Sequence, residues 1–289
     1  MAFRYPRGAA EVHVPDGSSI DDALDRTTDL GIVAHPDDLE FMALAAIGAC
    51  LDDPDRWFTG VTCTDGAGSA RSGAYAALSD GQMVELRRAE QREAADIGGY
   101  SAVFQLGHPS ASIRGDGHAT LVAELVEILE VGQPVNVYTH NLADKHETHV
   151  AAGAATVEAL RCLPLDRRPW KVIGIEGWRS LDWLPDAEKV LLDVSGRDEL
   201  AARLAAVFAS QIEGGKRYDL AEQGRRRANA TLLAPRDVDD AEQLTFAVDL
   251  TPVIRNDSLD PVRYVEAAID RFRDEVVTGL RRYFPPSTS

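Results

Sequence analysis

With 289 residues, 45% of them hydrophobic and 27% charged, the chain can bury one large α/β domain or two small ones, and its composition excludes a fibrous or disordered polymer. A formal net charge of −17 argues against nucleic acid or an anionic membrane as main partner, because phosphate binding needs clustered Lys and Arg. The longest nearly apolar run, residues 41–51, is too short for a bilayer, and an N-terminus carrying Arg4, Arg7 and Glu11 has no signal-peptide core, so a cytoplasmic location is expected.

Residues 1–28, with Pro6, Pro15 and Gly17 and no sustained period, read as an N-terminal extension packed on the main body. Residues 29–165 form the expected core. Leu30, Ile32, Val33 and Ala34 spell a buried strand that turns within one residue into His35-Pro36-Asp37-Asp38. An Ala-rich helix follows over 40–51, broken by Asp53-Pro54-Asp55, and then a second strand over 58–64. Asp65-Gly66-Ala67-Gly68-Ser69 lacks the GxxxxGK[ST] pattern and reads either as pocket floor or as a plain turn. Met83, Leu86, Ala89, Ala94 and Ile97 predict a helix over 81–99 stopped by Gly98-Gly99. A third strand over 102–106 ends at Gly107-His108-Pro109, and a helix over 121–129 leads to a fourth strand over 135–138. After it come His140, Asp144, His146 and His149, then an Ala-rich helix over 150–160.

Residues 166–289 read as a C-terminal elaboration that completes a pocket. Strands are expected over 172–175, 190–194 and 244–250, and helices over 197–212, 218–227 and 261–283. The 218–227 helix is charged and reads as exposed, with Arg225-Arg226-Arg227 as a solvated face. Cys50, Cys63 and Cys162 are scattered without CxxC spacing and read as small core residues. Strands alternating with helices at this spacing predict a Rossmann-like, mostly parallel sheet covered on both faces. Right-handed crossovers bring all strand-end loops to the carboxyl edge, where ligands bind in such sheets.

That edge would hold the metal-capable residues. A catalytic zinc site takes three N/O ligands and keeps one position open. His35 and Asp38 share a turn, and His149 from the distant loop completes a two-His, one-carboxylate set. Taken alone, His35-Pro36-Asp37-Asp38 also suits a turn and helix cap. Ala34-His35-Pro36-Asp37-Asp38-Leu39-Glu40 and Asp144-Lys145-His146-Glu147-Thr148-His149 together resemble the two motifs of the zinc-dependent PIG-L/LmbE deacetylase family, (A)HPDDxE and DxHxxH. Glu147-Thr148 departs from the family's commoner Pro-Asp. The resemblance covers roughly residues 29–160.

It implies one Zn²⁺ per chain on His35, Asp38 and His149, with iron(II) as the alternative metal, Asp37 as general base and His146 beside the substrate carbonyl. Arg87-Arg88-Ala89-Glu90 fits a further family pattern, RxxE, and makes Arg87 resemble a substrate-contacting arginine. The physical chemistry agrees with these roles. Zn²⁺ brings the pKa of a bound water to about 7. Asp37, beside a ligand but not one itself, can take that proton, and a protonated His146 can stabilise the developing oxyanion by ~3 kcal/mol. Asp144 orients His146 or His149, or else caps its loop. Glu40 either compensates a helix start or supports the site from behind.

The substrate side is less specific. Ser110 stands where relatives often carry an Asp that contacts substrate. Trp178 and Arg179 suit a sugar-stacking wall with an anion contact, while the two tryptophans Trp178 and Trp183 equally suit core or interface. His140 reads as a satisfied or exposed histidine. The expected activity is hydrolysis of an N-acyl group, by resemblance N-acetyl on a glucosamine-type sugar or glycoconjugate. Another acyl amide, a phosphoester, or a non-catalytic sugar- or nucleotide-binding module are the rivals, and assembly as a homo-oligomer stays open.

Overall fold

The computed structural model describes residues 10–285. Chain order is β1 (Glu11–His13), α1 (Ile20–Asp25), β2 (Asp29–Val33), α2 (Asp38–Met42), α3 (Leu44–Asp52), β3 (Phe58–Thr64), α4 (Asp80–Ile97), β4 (Ala102–His108), α5 (Ser110–Ile113), α6 (His118–Gly132), β5 (Asn136–His140) and α7 (Glu147–Cys162). The C-terminal part adds β6 (Lys171–Ile175), β7 (Lys189–Asp193), α8 (Asp198–Val207), α9 (Ala209–Ile212), α10 (Tyr218–Leu232), β8 (Leu244–Asp249), α11 (Thr251–Arg255) and α12 (Pro261–Arg281). One eight-stranded sheet runs β1-β4-β3-β2-β5-β6-β8-β7. Its five central strands are parallel, and β1, β8 and β7 run antiparallel to their neighbours at the two sides.

From β2 the chain steps outward to β3 and β4, then returns across the sheet to β5 and β6 on the other side of β2. The crossovers diverge there, so a crevice opens between the carboxyl ends of β2 and β5. The His35 loop leaves β2 at that crevice and the His146 loop leaves β5.

Two apolar layers sandwich the sheet. Ile32, Val61 and Phe104 face α1, α6, α7 and α11, and Val33 and Val103 face the layer of α3, α4 and α8, as the two-residue alternation of strands requires. Gly31 and Gly60 are paired across β2 and β3. A Cβ on either would lie 2.6 or 2.5 Å from a methyl of Leu39. The two glycines thus form a notch that seats Leu39, and that seat brings α2, with Asp38 at its start, down onto the sheet directly after the loop.

Several expectations need correcting. The N-terminal extension, where described, is more than packing, because β1 adds an edge strand against β4. The 40–51 helix is divided at Ala43 into α2 and α3, and the 197–212 helix at Phe208 into α8 and α9. Cys162, ending α7, is exposed, whereas Cys50 and Cys63 are buried. Among the described residues no helix is long and apolar enough to cross a membrane.

The C-terminal elaboration is fastened to the core by Glu176, just past β6. Its Oε1 accepts the Phe246 N–H (2.9 Å) and the Asn229 amide (2.5 Å), joining β6 to β8 and α10. Burial pushes its carboxyl up to about 7 from 4.5, against the pull of these donors and of Arg225. Between those pH values the folded chain holds a proton that the unfolded chain has released. The stabilisation is therefore full below pH 4.5 and is lost as pH rises through 7, a swing of ~3 kcal/mol. Glu176→Gln should be more stable than wild type at pH 8, with the advantage shrinking toward pH 4.5. Urea unfolding at both pH values measures this, and a pH-independent difference would refute it.

Candidate metal centre and active site

The first loop is held in an unusual backbone state. Asp37 has φ 89°, a region that non-glycine residues seldom occupy and that collects at functional sites. Its neighbours hold it there. Gln91 Oε1 accepts the Asp37 N–H (3.2 Å), Gln91 Nε2 donates to Glu40 Oε1 (2.8 Å), and the Tyr100 hydroxyl donates to the same oxygen (2.7 Å). Glu40 thus supports the loop from beneath, through Gln91, and burial pushes its carboxyl up to about 8. Arg87 grips the loop from the side. Its guanidinium donates to the Pro36 carbonyl and the Ser69 hydroxyl and lies 2.9 Å from Asp37 Oδ2. With its side chain 3% exposed, Arg87 is committed to the loop. It also borders the cavity, so positioning Asp37 comes in addition to its expected place at the substrate.

Three residues on, Glu90 accepts the Ser210 N–H (2.8 Å) and hydroxyl (2.6 Å). One RxxE turn of α4 therefore braces both the Asp37 loop and α9. Burial pushes the Asp37 carboxyl up to about 7, opposed by Arg87.

Asp38 turns back on its own loop, Oδ2 accepting the His35 N–H (2.8 Å) and lying 3.1 Å from His35 Nδ1. From the other side of the crevice, His149 presents Nε2 at 3.4 Å from the same oxygen. His149 Nδ1 meets Asp144 Oδ2 at 3.1 Å, and that oxygen also accepts the Trp178 N–H (3.1 Å). With Nδ1–H donated to Asp144, the Nε2 lone pair points at a carboxylate. Nε2 is buried and has no hydrogen-bond partner. Two acceptors facing each other at this distance require a proton or a cation. Burial pushes the His149 pKa down, but Asp38 and Asp144 more than offset it and the net shift is upward, the same demand for positive charge.

Ligand atoms of His35, Asp38 and His149 lie within 4.8 Å of one another, and so do those of His140, Asp144 and His149. The second set is closed. His140 is fully buried, its Nε2 accepts the Ala34 N–H (2.8 Å), and neither it nor Asp144 borders the cavity. Only the first set combines an orphaned buried nitrogen with open access, and its two imidazoles and carboxylate suit zinc or iron(II).

That access is a cavity of about 850 Å³. His146 borders it, with ring centroids 4.9 Å from His35 and 4.5 Å from His149. Burial, then His149 and His35, push its pKa down to about 4. It also occupies the N-cap of α7, where the helix dipole disfavours a cation. Both effects favour the neutral imidazole over the protonated His146 expected from sequence.

Ser110 and Trp178 border the cavity, and Arg179 does not: it is exposed and outside the lining. Trp178 forms a wall, 6.1 Å from the Tyr218 ring, 5.8 Å from His146 and 5.0 Å from Lys216 Nζ. The opposite expectation failed for α10. Tyr218, Ala221, Glu222 and Arg225 line the cavity, Arg225 donates to the Gly177 carbonyl, and Arg226 is buried with a hydrogen bond to the Phe41 carbonyl (2.6 Å). A trace of this exists in the sequence. Positions 218, 221, 222, 225 and 229 share one helical face, but the stripe is polar and a search for apolar periodicity passes over it.

Residues 30–160, which span both loops, match the PIG-L family, described as GlcNAc-PI de-N-acetylase. No curated protein is significantly similar in sequence. Among solved structures, a conserved protein from Thermus thermophilus is 18% identical with TM-score 0.61, covering 81% of this chain and 99% of its own. GalB, the 4-carboxy-2-hydroxymuconate hydratase of Pseudomonas putida, is 22% identical with TM-score 0.58, covering 76% and 95%. The N,N′-diacetylchitobiose deacetylase of Pyrococcus horikoshii is 19% identical with TM-score 0.56, covering 80% and 88%. These are likenesses of fold, and a PIG-L-type fold evidently accommodates both a hydratase and a deacetylase, so the reaction has to be argued from the site.

Proposed function

We propose that this chain is a metal-dependent amidohydrolase that removes an N-acetyl group from a glucosamine-type sugar or glycoconjugate, releasing acetate and a free amine. The observation that carries this reading is the partnerless Nε2 of His149 facing Asp38 at 3.4 Å inside the cavity. In this reading residues 29–165 carry the metal loops and 166–289 complete the pocket. His35, Asp38 and His149 would hold one zinc ion, with iron(II) as the alternative. When bound there, a divalent cation polarises an amide carbonyl and makes water nucleophilic near neutral pH.

The remaining work falls to side chains. Asp37, outside the ligand set, accepts the proton of the attacking water and can return it to the departing amine, and a carboxyl titrating near 7 suits both directions. Arg87 fixes the aim of that carboxylate. Neutral His146 offers a ring N–H toward the carbonyl oxygen. Trp178 and Tyr218 supply aromatic faces for a sugar ring, and Ser110 a hydroxyl on the cavity lining. The PIG-L match across both loops supports amide hydrolysis over the hydration carried out by GalB.

A panel of N-acetylated glucosaminides, assayed for acetate and free amine with and without chelator, tests the proposal. Equimolar products that vanish on chelation are expected. Metal-loaded protein that releases no acetate from any member, or that instead hydrates an unsaturated dicarboxylic acid, would overturn it.

A further inference from the structure

Among the described residues, helix α12 is tied to the body along one side. The Tyr264 hydroxyl donates to the Asp249 carbonyl (2.8 Å), Arg271 pairs with Glu188 (2.5 and 2.6 Å), and Ala268 is its buried residue. On the side turned away lie Val262, Ile269, Val276 and Leu280, which at 3.6 residues per turn fall within roughly 40° of one line. Tyr283 and Phe284, just past the helix end, are exposed as well. All six are between 42% and 80% exposed. At roughly 150–250 Å² for a large side chain, they offer on the order of 600 Å² of apolar surface, most of the ~800 Å² each partner contributes to a stable interface.

The charges on the stripe say what covers it. Glu266 and Arg273 interrupt the apolar line, both exposed, opposite in sign and seven residues apart. Their present partners are neighbours on the same helix, Arg263 for Glu266 and Asp270 and Asp274 for Arg273, and exposed pairs of that kind are worth little. A second copy of α12, laid antiparallel about a two-fold axis between Ile269 and Asp270, sets Glu266 against Arg273 of the second copy, and the reverse. The same axis brings the two Ile269 side chains together at the centre. We propose that α12 is a self-association surface through which the chain forms an isologous dimer. An anionic membrane fits less well, because the polar face mixes both signs and an acid sits inside the apolar stripe.

Sedimentation equilibrium of the full chain tests this, alongside the exposed-site variants Ile269→Glu/Val276→Glu, Glu266→Arg, and Glu266→Arg/Arg273→Glu. Wild type should be dimeric at micromolar concentration. The double glutamate variant should raise Kd at least ~100-fold with unchanged circular dichroism, Glu266→Arg should weaken dimerisation by about tenfold, and the charge swap should restore it. Three results would overturn the proposal: wild type monomeric to about 100 µM, glutamate variants that dimerise as wild type does, or a monomer that instead co-sediments with anionic vesicles.

Discussion

Asp37→Asn should keep its metal and lose turnover by about 10²- to 10⁴-fold, the range that a positioned general base contributes. Asn is nearly the same size and, with Asp, is among the residues that best tolerate positive φ, so the backbone at 89° survives the change. The Gln91 bond to the backbone N–H survives as well, because it does not involve the side chain. What disappears is the carboxylate that Arg87 holds at 2.9 Å, and with it the only acid-base group on this loop outside the ligand set. Metal analysis and kcat on the same preparation separate the two effects. A fully active Asp37→Asn enzyme would remove Asp37 from the chemistry, while loss of metal would show that it helps to hold the ion.

Zinc should raise the thermal midpoint of the wild type by several degrees, as a ligand bound tightly to the folded state alone does, and His149→Ala should abolish that rise. The reason is local. His149 is the member of the trio whose buried Nε2 has no hydrogen-bond partner and faces Asp38, so its removal takes away a ligand. Asp144→Asn is the graded companion. It keeps the shape but weakens the hold on His149 Nδ1, and should lower zinc affinity by about 10- to 100-fold. Isothermal titration of the three proteins orders them, and wild-type affinity in His149→Ala would exclude His149 from the ligand set.

The fold was legible because strands and crossover helices announce themselves locally. The all-buried run of β2 and the Ala-rich α7 need only their own residues to be read. The candidate ligands were legible for a related reason: His35 and Asp38 stand one turn apart at a strand end, and spacing of that kind survives any tertiary arrangement. The grip of Arg87 on Pro36, Ser69 and Asp37 was not legible, because those partners lie on loops distant from α4 in the chain. Arg179 was misread, since adjacent residues leaving a strand face different ways and only Trp178 turns to the cavity. The charge of His146 depends on the two imidazoles beside it, one of them more than a hundred residues away in the chain.

Residue order alone determined the sheet class, the polar switch after β2 and the histidine-rich loop after β5, because hydrophobic period and residue chemistry act over a few neighbours. Only the tertiary structure decided that α10 lines the cavity, that Arg87 and Glu40 serve the Asp37 loop, and that Val262, Ile269, Val276 and Leu280 of α12 are exposed. Those outcomes depend on which surfaces meet, and burial and the fields that shift a pKa are set by groups distant along the chain.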